Sequence, residues 1–467
     1  MPVAEYDAVV VGAGPNGLAA AVELTRAGER VLVIERATEI GGGTRTDELT
    51  LPGFLHDVCS AIHPLGLASP FFKEIGFGDW IHPEIPVTHP LDNGNVAVLY
   101  RSVDETADGF GIDADRYRRF VGRMVDNVDD LVGDVLAPLR IPPLHPIALA
   151  KFGLSGVRSA DRAVRQFETL EARALYAGLA AHAIASFDTL LTHAVAKWFA
   201  VTAHAYGWPI VRGGSQRLAE AMAEMVTAGG GTVETGRNVE SVDELPNARS
   251  VLLDVMPDAA LRIAGTRISR RACSRLNRWT AGPGVFKVDW ALDGPIPWAD
   301  PASGLAGTVH VGGSYEEISA AESLVHSGEH SEYPFVIVAQ QSLFDPTRAP
   351  TGKQVAWSYC HVPTGSLRDM TDTIEAQIER FAPGFRDLIL ARHVMGPPGF
   401  EDYNPNYVGG DIGGGAFSLR RFLRIGRSRS YRIGQGLYLC SSATPPGAGV
   451  HGMAGYHAAR VAIEARS

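Results

Sequence analysis

The sequence predicts an α/β fold built around a mostly parallel sheet whose strands come from both ends of the chain. Three observations predict it. A valine-rich run, YDAVVV (residues 6–11), enters a glycine turn and then a helix pattern. A matching run near the other end, LYLC (437–440), enters a second turn rich in glycine and proline. Between them lie helical segments with apolar residues every three to four positions, followed by four alternating runs that read as antiparallel strands. Near-continuous apolar runs of the first kind suit strands buried on both faces, as parallel strands are.

Composition bounds the function. At 467 residues with 45% hydrophobic content, the chain carries enough apolar side chains for two or three sub-domains. Its 52 glycines exceed the usual ~7% and follow no period, which points to tight turns and close backbone approach. The net charge of -10 argues against a general nucleic-acid binder. Arginines crowd residues 419–432 (LRRFLRIGRSRSYR), read as a solvated strand or loop face in preference to an anion or lipid-headgroup site. Cys59, Cys273, Cys360 and Cys440 form no C-x-x-C pair, so neither a disulfide framework, a zinc site nor a redox dithiol is expected, and no metal. Without a cleavable leader or a run of about 18 apolar residues the expected location is cytoplasmic, with peripheral membrane contact left open.

The first turn carries the strongest chemistry. Gly12, Gly14 and Gly17 give G-x-G-x-x-G, with Pro15 and Asn16 between, and NGLAAAVELTRAG follows as a helix that Gly28 stops. The first glycine makes the turn, the second lets the backbone approach a pyrophosphate, and the third lets the helix lie close on the sheet. The helix N-terminus supplies amide donors and positive dipole to phosphates. A second strand, RVLVIE, ends on Glu35, which is placed for a ribose hydroxyl, with Arg36 beside it. This turn, strand and acid together predict dinucleotide binding. Gly41, Gly42 and Gly43 follow, then Thr44 and Arg45. An NAD domain needs no second glycine cluster here, whereas a flavin dinucleotide, being longer, runs on past the first turn.

From this point the chain resembles the FAD-dependent amine oxidase and phytoene desaturase superfamily: G-x-G-x-x-G, then Glu35, then a G-G-x-x-R-T turn and PGF. The segment EDYNPNYVGGDIGGGAF (401–417) is similar to a hallmark of the phytoene dehydrogenase/desaturase-like branch, which includes pyridine nucleotide-disulfide oxidoreductase domain-containing proteins. The resemblance implies a split Rossmann-type FAD-binding domain over 1–65, 210–283 and 425–467. An inserted substrate or cap domain of helices plus an antiparallel or mixed sheet takes 66–209 and 284–424. It also implies noncovalent FAD, Arg45 near the ribityl phosphate and Val239 against the adenine. The glycine-rich helix-and-strand segment at 211–242 returns the chain to the FAD domain, with Leu218, Met222 and Met225 as core and the meander usual after it shortened. No second G-x-G-x-x-G follows a later apolar strand, so oxygen or a quinone is the expected electron acceptor.

The ending then reads as the closing half of one site. After LYLC, the turn at Ser442, Gly449, Val450 and His451 is expected beside the flavin half, with the last helix starting at Val450 and pressing on the cofactor through Gly452, Gly455 and Ala459. Flavin chemistry asks the protein for orientation, water exclusion and sometimes a base. Candidate catalytic groups are His63, His451 and Asp411, the last either fixing its loop or facing substrate, with Tyr403 nearby. The proline-broken segment 137–157 is read as a packed loop, the alternative being a membrane-facing mouth. The expected activity is desaturation or dehydrogenation of a small apolar, isoprenoid or polyene-like substrate by hydride transfer to the flavin. An amine or amino-acid oxidase of the same fold, or a flavin-binding scaffold without turnover, are the alternatives. Few aromatic residues in the NYVGGDI and TPPGAGVHG segments count against the amine reading.

Overall fold

A computed structural model describes residues 5–140 and 142–465, so positions 1–4, 141, 466 and 467 of the expected spans lie outside the described residues. In chain order the principal strands are β1 (Ala8–Val11), β2 (Val31–Ile34), β3 (Ile85–Pro90), β4 (Val96–Leu99), β5 (Thr232–Glu234), β6 (Ser250–Leu253) and β7 (Gly284–Leu292). They continue with β8 (Ala306–Val311), β9 (Val336–Ala339), β10 (Gln354–Val362), β11 (Ile389–Met395), β12 (Arg432–Gly434) and β13 (Leu437–Leu439). The helices that matter for the site are α1 (Pro15–Arg26), α2 (Pro146–Gly156), α3 (Leu170–Ala181), α4 (Thr192–Tyr206), α5 (Gln216–Ala228), α6 (Pro257–Ala264), α7 (Thr371–Phe381), α8 (Leu419–Ile425) and α9 (Met453–Glu464).

Every residue of β1, β2, β6 and β13 is buried, as the unbroken apolar runs require. Burying each such Val or Leu side chain contributes roughly 1.5–3 kcal/mol. These strands build a six-stranded sheet in the order β12-β13-β6-β1-β2-β5. Its neighbours pair in parallel (Ala8 with Val31 and Ser250, Val251 with Leu437), and the β12–β13 edge is antiparallel. The last strand of the chain therefore lies two strands from the first. Helices α1 and α9 pack on one face of this sheet, with α5 against α1. Leu218 and Met222 of α5 are fully buried core, as their spacing predicts. Between β5 and β6 the chain forms only a short 3-10 turn at Val242–Glu244, the shortened connection expected from sequence.

The second sheet has seven strands in the order β11-β7-β10-β9-β8-β3-β4. It is antiparallel except where β8 runs parallel to β3, so it is mixed. Side chains alternate across it. Val288, Trp290, Val309, Val336, Val338, Ala356 and Cys360 point to one face, where Ile374 and Ile378 of α7 complete a core. The opposite face, carrying Lys287, Thr308, Ile337, Trp357 and Tyr359, looks toward a cavity.

Three local readings are corrected. The segment 137–157 contains a helix, α2, because Pro146 occupies its first helical position, where the missing N–H costs nothing. Leu419–Ile425 within the arginine-rich stretch is helical, capped by Ser418 Oγ on the Arg421 N–H, and not a strand or loop face. The final helix begins at Met453, since Gly452 sits in the left-handed region at φ 68° and ends the turn.

Candidate functional site

The carboxyl ends of β1, β2, β6 and β13 open onto one cavity of about 810 Å³, the place where open α/β sheets bind ligands. Gly12, Gly14, Pro15 and Asn16 form its wall after β1. Gly17 lies behind them, where a Cβ would stand 2.0 Å from the Gly12 carbonyl oxygen. Glu35 ends β2 with its carboxylate already held: Oε2 accepts the Ala13 N–H at 2.8 Å and Oε1 the Ala37 N–H at 2.9 Å. Arg36 lines the outer wall, bonded to the Asp402 carbonyl.

The second glycine cluster crosses the first. A Cβ on Gly42 would be 3.0 Å from Gly14 Cα, and one on Gly43 would overlap the Tyr407 hydroxyl. Thr44 is fully buried off the wall and closes the turn by donating to the Gly41 carbonyl. Arg45 donates to the Glu39 and Ile40 carbonyls and reaches Glu35 Oε1 at 3.4 Å. The Tyr403 ring lies 5.3 Å beneath its guanidinium, and the Tyr403 hydroxyl donates to the Gly42 carbonyl. Val239 is buried and lines the same wall.

At the other end of the cavity the closing turn brings Ser442, Gly449, Val450 and His451 to the wall. Gly455 sits under them: a Cβ there would fall 1.7 Å from the Asn16 carbonyl oxygen. The small residue Gly455 thus lets α9 press on α1. Both glycine turns are fixed to each other through helices as well as through the sheet.

The three candidate catalytic residues are all on the wall, in neutral or backbone-bound states. His63 Nε2 pairs with Ser215 Oγ at 2.8 Å, and burial lowers its pKa to about 4. His451 Nδ1 accepts the Met453 N–H at 3.0 Å, capping α9, and burial likewise holds it at about 4. Asp411 spends one carboxylate oxygen on the Gly282 N–H and the other on the Gly413 N–H. Of the two roles expected for it, loop fixing is the one with visible bonds. Neighbouring Asn406 ties the hallmark segment to β6, accepting the Met256 N–H and donating to the Asp254 carbonyl.

Sequence reading missed the groups that meet only in three dimensions. Asp254, at the end of β6, accepts the Gly17 N–H at 2.8 Å, and burial pushes its carboxyl up to about 7. Lys287 is almost fully buried on the cavity face of β7 and is ion-paired with Asp289, two residues on along the same face. The Lys-x-Asp spacing in an otherwise apolar strand was the available signal. Trp357 and Tyr359 of β10, Trp198 and Phe199 of α4, Trp208 and His182 complete an aromatic, largely apolar lobe.

Together the first turn, Glu35 and the strand ends make a Rossmann-type arrangement, joined to the aromatic, largely apolar lobe. An NAD(P)-binding Rossmann-like domain model matches residues 10–75. The fold is that of a solved putrescine oxidase variant, with a TM-score of 0.63 over 99% of both chains at 20% identity. Among curated proteins, the mouse (Mus musculus) pyridine nucleotide-disulfide oxidoreductase domain-containing protein 2 is 28% identical over 98% of this chain and 93% of its own length. A neurosporene-forming phytoene desaturase from Rhodobacter capsulatus is 25% identical over 96% of this chain and 92% of its own length. The curated relatives thus include a phytoene desaturase and an oxidoreductase domain-containing protein, and the putrescine oxidase likeness shows a shared fold.

Proposed function

We propose that this chain is an FAD-dependent oxidoreductase that removes hydrogen from an apolar, isoprenoid or polyene-like substrate and passes the electrons to oxygen or a quinone. The observation that carries the reading is the continuity of one cavity, from the phosphate turn at Gly12 and Gly14 to the apolar lobe at Trp208, Phe199 and Trp357. The residues present fit a flavin dinucleotide: Glu35 is pre-positioned, Asn16 has a buried side-chain oxygen without a partner, and two turns flank the cavity. Cys440 is fully buried and its thiol is pushed well up, which fits noncovalent binding. When bound, the flavin supplies the hydride acceptor. The chain's part is to hold it through the wall residues and to exclude water with the lobe. His63 and His451 stay uncharged there.

The surface supports an apolar substrate. Phe422 lines the cavity yet is 45% exposed, marking a mouth. Leu423, Leu144, Ile147, Leu154, Val157 and Leu190 are exposed on the neighbouring α8, α2 and loops, tied together by bonds from Leu139 to Gly426 and from Leu191 to Val157. Residues 137–158 and 418–432 contain arginines and a lysine but no Asp or Glu, in a chain of net charge -10. A greasy, cationic rim of this kind suits peripheral contact with an anionic bilayer. Among the described residues no helix is long and apolar enough to cross one.

One finding favours a second reading, amine oxidation: the lobe carries aromatic walls that the loop segments lacked, supplied by β10 and α4. Anaerobic mixing with isoprenoid hydrocarbons and with primary amines separates the two. Bleaching of the flavin band by isoprenoids alone supports the first; bleaching by amines alone, with hydrogen peroxide released once air is admitted, replaces it with the second.

A further inference from the structure

Asp254 stands inside the phosphate turn. Its Oδ2 accepts the Gly17 N–H and lies 3.1 Å from where a Cβ on Gly14 would be, and its own Cβ lies 3.1 Å from the corresponding point on Gly12. It lines the cavity and is partly exposed there. Among the described residues no cation is hydrogen-bonded or ion-paired to its carboxylate. Glu35 follows β2, the Cys440 thiol follows β13, and neutral Asn406 and Tyr407 come from the hallmark segment. Helix α6 brings Asp258 and Arg262, both exposed. Glu35, of like sign, raises the Asp254 carboxyl further.

The turn is also short of donors. Pro15 occupies the first helical position and has no N–H, and the Gly17 N–H is taken by Asp254 itself. A pyrophosphate brought to this turn meets an acidic side chain beside the remaining backbone amides. Ionised, that carboxylate repels the phosphates across a poorly screened gap. Protonated, it donates a hydrogen bond to a phosphate oxygen and replaces the missing amide.

Resting on the FAD reading above, we propose that Asp254 holds the dinucleotide as a neutral carboxylic acid, so that binding takes up a proton at alkaline pH. The burial that pushes this carboxyl up to about 7 places the crossover in the physiological range. The chain's grip on its dinucleotide then loosens as pH rises. Asp254 is a positioning residue that need not touch the substrate.

The test is calorimetric titration of FAD into apoprotein from pH 6 to 9, in two buffers of different ionisation enthalpy. Wild type is expected to bind about tenfold or more weakly at pH 9 than at pH 6, with uptake approaching one proton per FAD at pH 8. Asp254→Asn keeps the Gly17 bond and adds a permanent donor, so its affinity is expected to stay flat and exceed wild type at pH 9. In the FAD-free protein its melting temperature should exceed wild type at pH 8, the gap closing toward pH 5. The sign follows because a raised carboxyl pKa makes the folded state bind more protons, so the contribution of Asp254 to wild-type stability falls as pH rises through 4 to 7, which is why the comparison is with Asp254→Asn at each pH. PH-independent wild-type binding without proton uptake would overturn the proposal and leave the FAD reading intact. No FAD binding at any pH would overturn that reading as well. Should Asp254→Asn fail to fold, the wild-type proton uptake alone decides.

Discussion

Gly17 leaves no room for a methyl group, because the Gly12 carbonyl oxygen occupies the space where a Cβ would be. Gly17→Ala is therefore expected to cost about 1–3 kcal/mol in denaturant unfolding, the usual range for forced overpacking, and to abolish flavin retention on purification. Retention of flavin at wild-type stability would show that the turn is not built as described. Lys287 obeys different physics. It is paired with Asp289 at almost no exposure, so Lys287→Met leaves a buried carboxylate without its lysine, facing only the His56 and His393 rings. Unfolding should register a loss of about 3–5 kcal/mol, and the double change with Asp289→Leu should recover part of it. An unchanged unfolding midpoint for the single variant would contradict a structural pair. The glycines of the first turn were legible in the sequence because their constraint is local, a backbone approach written in the motif itself. Asp254 and Lys287 were not, because β6 meets the phosphate turn and β7 meets the lobe only after distant strands pair.

At the scale of elements, α9 rests on α1 through Gly455, and the closing turn reaches the cavity only because that contact is tight. Gly455→Val should lower the melting temperature and weaken flavin binding together, measured by thermal unfolding with and without added FAD. Loss of binding at unchanged stability would place Gly455 in direct cofactor contact instead. Helix α2 makes the opposite case. Ile147 and Leu154 are more than two-thirds exposed, at 71% and 82%, so replacing both by Asp should leave stability within about 0.5 kcal/mol. Sedimentation with anionic lipid vesicles should nonetheless fall severalfold; unchanged sedimentation would remove the membrane role of this face. This helix escaped the sequence reading because prolines announce breaks, although a proline at the first helical position starts a helix. The strands of the second sheet were legible through alternation over β7–β10, while β3, β4 and β11 carried weaker patterns flanked by polar residues.

The whole molecule joins two ends of the chain in one sheet, and the paired glycine sentences in the sequence were sufficient to foresee it. What they could not convey was the lobe, whose aromatic walls arrive from β10, α4 and Trp208. Global stability should carry the mark of many histidines buried without charge. His56, His63, His89, His204, His451 and His457 are each lowered to about 4, chiefly by burial. The unfolded chain binds protons at these sites near the ordinary value of 6.5, so stability is intact above that value and lost as pH falls toward 4. Melting temperatures should drop steeply between pH 6 and 4; a flat profile would mean that these rings reach solvent. The central claim, an FAD site continuous with an apolar substrate lobe, is tested most directly by the flavin spectrum of the purified protein during anaerobic titration with an isoprenoid hydrocarbon. The account predicts a yellow protein whose visible band bleaches on titration and whose flavin is released intact by denaturation. A colourless protein that yields no flavin and takes up none would contradict it.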